Sequence, residues 1–375
     1  GFGGMLPENN NDLKYEDIPE ISIKMVDGGD GVFGSGDYIL FFAEGPDTWT
    51  YNSDSDVFQH NLNIYSREAF YFMVLSDGDG KRVNSINTTQ NANYSVNTFS
   101  DYQVKEDETT NLINSGRRWF GDKYEFTTEY QYPFNFENIS TGSGIYVKAV
   151  FGARSTTSSR FTISAFDESK SVSIAAIPSG SYPSYAVNGE IRNEFNPTTT
   201  PSSFNIKVNY NQPTSSSIGW LDFIEVNVER NLIFNGTQMT FRNPKSIGED
   251  RISEFVMQKN ASHTPEIWDI TNFTTPTVVS ANQQSNSVTF KSNTSILREF
   301  VAFHESSALR AEFVKSIENQ DLHGNFNYDY IIITHPDFLA QANELADFHR
   351  ETSNLDVFVT TLEPIYNEFS SGRQD

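Results

Sequence analysis

Apolar and polar residues alternate without a fault from Phe204 to Tyr210, with Phe204, Ile206, Val208 and Tyr210 on one parity and Asn205, Lys207 and Asn209 on the other. A period of two predicts a strand with one face buried and one wet. Residues 219–229 alternate cleanly in their second half, which assigns Ile224, Val226 and Val228 to a core and Glu225, Asn227 and Glu229 to solvent. Asp222 falls on the buried parity, so the strand is expected to start after it or to bulge near it. Shorter strands are predicted at residues 37–42, 70–75, 161–165, 171–175, 287–290 and 300–303, as apolar runs or alternations bounded by turn residues. Residues 27–31 and 76–80 are Asp- and Gly-rich tight turns, and the Asn-rich stretch 84–97 is expected to be a long exposed loop. Many short strands at this spacing predict two β-sandwich or jelly-roll-like modules, 1–118 and 119–315.

The pattern changes after residue 316. A polar connector (316–324) leads to Tyr330-Ile-Ile-Ile333, an unbroken apolar run that predicts a buried strand. Residues 337–349 have helical spacing, with Phe338, Ala342, Leu345 and His349 on one stripe, and Pro336 with Asp337 marks the helix start. Residues 355–360 are the return strand, parallel to the first by the right-handed crossover rule, and 363–369 open another helix. A lone strand–helix–strand cannot close a parallel sheet, because such strands need neighbours and covering helices. Segment 316–375 is therefore expected to be a linker and the incomplete start of an α/β domain, in the front part of a longer protein. The fold class is mainly β, followed by that α/β start.

Composition supports the β assignment: 31 Phe and 17 Tyr accompany abundant polar loop residues. The formal net charge of −23 repels nucleic-acid phosphates and anionic headgroups, so neither is expected as a partner. No stretch approaches the roughly 20 apolar residues of a membrane helix, so no direct membrane span is expected. The start, Gly1-Phe-Gly-Gly-Met5, lacks the features of a signal peptide and suits a mature or excised terminus. Cysteine is absent, which removes disulfides, a thiol nucleophile and thiolate metal ligands.

Candidate chemistry is sparse. The six histidines, His60, His263, His304, His323, His335 and His349, do not show zinc-helix spacing. His335 ends a strand, where α/β sheets place ligand contacts, but a loop or capping role is preferred; His349 closes a helix and is also assigned a structural role. Asp27, Asp30, Asp54, Asp56, Asp77 and Asp79 supply clustered oxygen donors that suit Ca²⁺, yet tight turns explain them without metal, so no ligands are assigned. Arg117-Arg118-Trp119 is taken as a junction between modules rather than a cation–π binding patch. The Asn-x-Ser/Thr triplets at 87–89 and 138–140 are taken as chance. Catalytic, cofactor-binding and metal residues are accordingly none, with no cofactor expected.

Three phrases carry a family resemblance. Asp329-Tyr-Ile-Ile-Ile-Thr-His-Pro336, Leu345-Ala-Asp-Phe-His-Arg350 and Ile365-Tyr-Asn-Glu-Phe-Ser-Ser-Gly372 resemble the opening of a gingipain-type cysteine peptidase domain. The stretch 36–46 with Trp49, and residues 70–82, 115–121 and 219–227, are similar to one branch of that family, the cell-surface sortase, or signal peptidase, of the type IX secretion system of Bacteroidetes. The resemblance implies a caspase-like α/β domain with a His–Cys pair at strand ends, in which the thiolate forms an acyl-enzyme and His handles the protons. It also implies removal of the C-terminal sorting domain from secreted cargo, attachment of the new end to a surface glycolipid, an outer-membrane barrel partner and a location on the outer face of the outer membrane. The catalytic positions would fall after Asp375, so these 375 residues alone are expected to be inactive and to scaffold the remaining peptidase domain. The alternative is a surface adhesion protein whose sandwich modules recognise glycan or protein, with a degenerate peptidase-like tail.

Overall fold

The computed structural model describes residues 18–75, 78–114, 117–178, 184–260, 262–324, 327–370 and 372. Among them, one sheet of ten strands organises the molecule. Its order is Val187–Phe195, Ile145–Arg154, Ile218–Asn231, Thr98–Glu106, Gln238–Arg242, Glu299–Phe303, Glu266–Asp269, Thr277–Val279 and Asn84–Ile86, with Lys123–Tyr124 added beside Ile218–Asn231.

Two smaller sheets pack on it and make two sandwiches with one shared layer. The first partner sheet is Glu168–Ile174, Ser159–Ala165, Ser203–Asn211 and Glu129–Asn135. Its core includes Phe161, Ile163, Ile206, Val208 and Tyr210 against Phe151, Ile224 and Val226. Phe151 and Phe161 stack at 4.2 Å between ring centroids, both fully buried, each contributing about 1.5–3 kcal/mol through burial alone. Gly219 permits this approach, because a Cβ there would lie 2.5 Å from the Phe161 ring. The second partner sheet holds Ile233–Phe234, Ile252–Lys259, Ser287–Asn293 and Asn282–Gln283, with Tyr94–Val96 also paired to Ile252–Lys259. Phe255, Phe290 and Phe300 meet there with centroids 4.9–5.0 Å apart.

The boundary expected at 118/119 cuts through this arrangement. Thr98–Glu106 lies beside Ile218–Asn231 in the ten-stranded sheet, and Phe99 sits in the second core with Phe241 and Phe300. The first sandwich is therefore inserted in sequence within the second. Residues 84–97 are not one loop: Asn84–Ile86 and Tyr94–Val96 each add a parallel strand to a sheet, and Val96 is buried. Asn84–Ile86 is exposed throughout and held by its ladder, whereas Tyr94 and Val96 join the second core.

The amino-terminal residues form a third layer over the outer face of the large sheet. Leu40 and Phe42 cover Trp268, Val301 and Phe303, and the hairpin Thr48–Asn52/Val57–Asn61 covers Ile218–Asn231. Residues 37–42 contain the strand Tyr38–Leu40, but 70–75 form none: Met73, Val74 and Leu75 are exposed, Leu75 to 91%. An apolar run without alternation specifies burial less securely than an alternating one.

The carboxy-terminal unit has the expected elements. Tyr330–Thr334 and Val357–Thr361 pair in parallel, joined by helix α1 (Leu339–Ser353) and followed by α2 (Leu362–Phe369). Burial departs from expectation. Ile331 and Ile333 are about half exposed, and of the predicted helix stripe Ala342 is buried while Phe338 and Leu345 are exposed. Ala342 and Ala346 are small enough to bring α1 close to the two-stranded sheet, which is too narrow to cover larger side chains. No helix among the described residues is long and apolar enough to cross a membrane.

Candidate functional site

A cluster of charged side chains lies beneath the amino-terminal hairpin. The hairpin turn is set by Asn52, whose Oδ1 accepts from the amides of Asp54 (3.0 Å) and Ser55 (3.2 Å), and by Asp56 at φ +53°. The following strand carries His60 onto the outer face of Ile218–Asn231. There Nε2 of His60 donates to Glu106 Oε2 at 2.7 Å and Nδ1 donates to Glu225, whose Oε1 also accepts the His60 amide at 2.9 Å. Lys148 adds a cation 3.4 Å from the other Glu225 oxygen. Glu225 is 1% exposed, although the alternation assigned it to water. Its neighbour on that face, Asn227, is also buried. Its side chain pairs with both backbone groups of Phe58, accepting at 2.7 Å and donating at 2.9 Å, as a ladder residue would.

Electrostatics follow from this geometry. Burial alone would lower the His60 imidazole, but hydrogen bonds to Glu106 and Glu225 outweigh it and push the pKa up to about 9. Burial would raise the Glu225 carboxyl, yet His60 and Lys148 hold it below its ordinary value. Both imidazole nitrogens are committed as donors, so His60 offers no lone pair to a substrate or a metal. The cluster clamps a layer in place. Asp222 sits nearby as the unpaired residue of a bulge, since Val150 faces Phe223 while Phe151 faces Leu221. Burial raises its carboxyl against the pull of Arg118, its ion-pair partner. The bulge expected from its parity is present.

In the α/β unit, His335 ends Tyr330–Thr334 and its Nδ1 accepts from the Asp337 amide at 3.2 Å, capping a short 3₁₀ turn that leads into α1. The connector attaches to α2 through Glu368, which accepts from the amide and Nδ1 of His323, both at 2.7 Å, and from the Leu322 amide. His349 packs edge-on against Tyr330, and among the described residues its buried Nδ1 has no hydrogen-bond partner, as is the case for His263 beside Phe234. His304 caps a 3₁₀ turn at Glu305–Ser307.

Three of the acidic turn residues accept local hydrogen bonds, two from backbone amides and one from a side chain. Asp27 accepts from Gly29 at 3.0 Å, Asp30 from Val32 at 2.9 Å, and Asp56 from the Tyr51 hydroxyl at 2.7 Å. Asp77 lies outside the described residues. Among the described residues no group of three or more His, Asp or Glu is arranged to hold a metal ion. Arg118 both pairs with Asp222 and lies over Phe120 at 5.0 Å, tying residues 117–120 to the large sheet. Sequence reasoning missed Glu106, Lys148 and Glu225 as a cluster. Each sits at an ordinary polar strand position, and nothing local marks the hairpin that covers them.

Comparison with known proteins adds to this geometry. The family model described as Peptidase family C25 matches residues 323–375, the strand–helix–strand and the segment leading into it. The fold is similar to part of dimeric latent PorU from Porphyromonas gingivalis, with a TM-score of 0.82 at 21% identity over 100% of this chain. The chain spans 35% of the length of that protein. A calcium- and xylotriose-bound carbohydrate-binding module CBM36 (13% identity over 26% of this chain and 71% of that one, TM-score 0.18) is also similar over a short stretch. A CBM36-1 domain of a xylanase from the hindgut metagenome of Trinervitermes trinervoides behaves alike (10% identity over 34% of this chain and 96% of that one, TM-score 0.22). At those scores neither bears on function. No curated protein sequence matches.

Proposed function

We propose that the chain is the non-catalytic amino-terminal portion of a PorU-like sortase of the type IX secretion system. In this reading the parent protein is a cysteine endopeptidase and transpeptidase that removes the C-terminal sorting domain of secreted cargo. The observation that carries the reading is the coincidence of two matches. The peptidase family model falls on residues 323–375, where the α/β unit starts, and the whole-chain fold likeness extends through the sandwiches before it.

The chain's own task in this proposal is to scaffold. The sandwiches share one ten-stranded sheet under the hairpin layer, and the connector that leaves them bonds to α2, His323 and Gln320 both reaching Glu368. The half-exposed Ile331 and Ile333 then receive the remaining peptidase domain. The 375 residues contain no cysteine, so they supply no thiol nucleophile to the reaction. Docking to an outer-membrane barrel, contact with cargo sorting domains and residence at the cell surface belong to the same proposal.

The test extends the reading frame past the codon for Asp375 and assays the product for release of a cargo sorting domain. A His and then a Cys, each after a short apolar strand, together with cleavage that a Cys→Ala change abolishes, are the expected result. A continuation without that pair would sink the reading.

A further inference from the structure

After the hairpin the chain turns through residues 62–67 and, with Glu108 and Trp119, encloses an open cavity of about 310 Å³. Its rim is built rather than incidental. Asn63 is buried, its amide donates to Asp47 at 2.8 Å, and its Oδ1 accepts from the amides of Tyr65 and Ser66, both at 3.0 Å. Those bonds shape the turn that carries Tyr65, and Trp119 lines the cavity from a separate segment; 46% and 37% of their surfaces are open. Arg67 and Glu108 bring opposite charges to the same space. Burial, helped by Glu106 and Asp222, raises the Glu108 carboxyl against the pull of Arg67 and Arg118.

The lining selects a ligand class. Two partly open aromatic rings offer flat apolar faces, while guanidinium and carboxyl offer donors and acceptors side by side. Their charges offset one another, so the cavity does not call for an ion, and a chain of net charge −23 repels anions. A neutral ring with an apolar face and a rim of hydroxyls meets each of these conditions, and a cavity of this size sits at the small end of ligand pockets.

We propose that this cavity is a sugar subsite that takes one neutral hexose or N-acetylhexosamine unit of a glycan, with Trp119 stacked on the ring and Arg67 and Glu108 hydrogen-bonded to its hydroxyls. The site needs no peptidase chemistry, and it stands or falls apart from the preceding proposal.

The experiment titrates the 375-residue chain with glucose, galactose, mannose and N-acetylglucosamine, followed by tryptophan fluorescence and ligand-observed NMR. At least one sugar is expected to bind saturably in the millimolar range, with Trp119→Ala weakening it by about tenfold or more. Arg67→Ala, at an exposed position, is expected to weaken binding several-fold with the thermal midpoint unchanged, and it carries the test if Trp119→Ala fails to fold. Absence of binding by all four sugars overturns the proposal, as does binding that Arg67→Ala leaves unchanged. Saturation by an aromatic-rich neutral peptide but by no sugar also overturns it and assigns the cavity to a protein partner.

Discussion

The strands Ile218–Asn231 and Tyr330–Thr334 invert the usual relation between residue type and burial. The first carries Glu225 and Asn227 on its outer face, and both are buried. The second carries Ile331 and Ile333 on one face, and Ile333 is 54% exposed. The cause lies in the layers each strand meets. A hairpin lies over the polar stripe and supplies His60 and the Phe58 backbone as partners, so desolvation is offset by charge-assisted and ladder-like hydrogen bonds. Tyr330–Thr334 pairs with one strand and packs on α1 through its other parity, where Tyr330 meets His349. A strand's pattern thus reports that it is a strand, while the number of layers decides which face is dry.

The largest expected effect is at the polar stripe. Glu225→Ala leaves His60 and Lys148 without their shared carboxylate and is expected to destabilise the protein by about 3–5 kcal/mol in urea unfolding. A loss below 1 kcal/mol would mean that the stripe is wet and the contrast unfounded.

Next comes the pH dependence. His60 has its pKa raised from 6.5 to about 9, so its contribution is fully present below pH 6.5 and lost as pH rises through 9. Stability is expected to fall by about 3 kcal/mol across that window, and a His60→Phe variant should flatten the slope. Glu225, held low, acts in the opposite direction: its contribution is present above pH 4.5 and fades as pH falls through its lowered value. A wild-type curve that is level from pH 6.5 to 9 would remove the charged clamp.

Asn227→Ala should cost about 1–3 kcal/mol, because the Phe58 amide and carbonyl lose their partners under the hairpin. Proteolysis or hydrogen exchange confined to residues 48–61 would report the same loosening.

The smallest effect belongs to the apolar face. Ile333→Ser is expected to change the stability of the 375-residue chain by no more than about 0.5 kcal/mol. The amides of Tyr330–Thr334 should also exchange faster than those of Ser203–Asn211, which lies between two strands over a closed core. A large loss at Ile333 would show that this face is covered.

Much of the fold was legible in the residues. The alternation from Phe204 to Tyr210 matches the observed burial of Phe204, Ile206, Val208 and Tyr210, and the parallel return strand and both helices of the α/β unit lie where spacing puts them. The parity of Asp222 left open a late strand start or a bulge, and the structure has the bulge. The cavity at Trp119 and the His60 cluster were not legible. Their members come from stretches 46 to 165 residues apart for His60 and its two glutamates, and no local period encodes such separations.

Local pattern was sufficient for what depends on neighbours along the chain: strand against helix, turn against run, and the direction of a crossover. Those follow from backbone sterics and from a side-chain period that a few residues express. Which strands share a sheet, that one sandwich is inserted within the other, and that a polar face lies beneath a hairpin were settled by packing. Burial is a property of what lies across a face, and for Glu225 that is a histidine brought from 165 residues away.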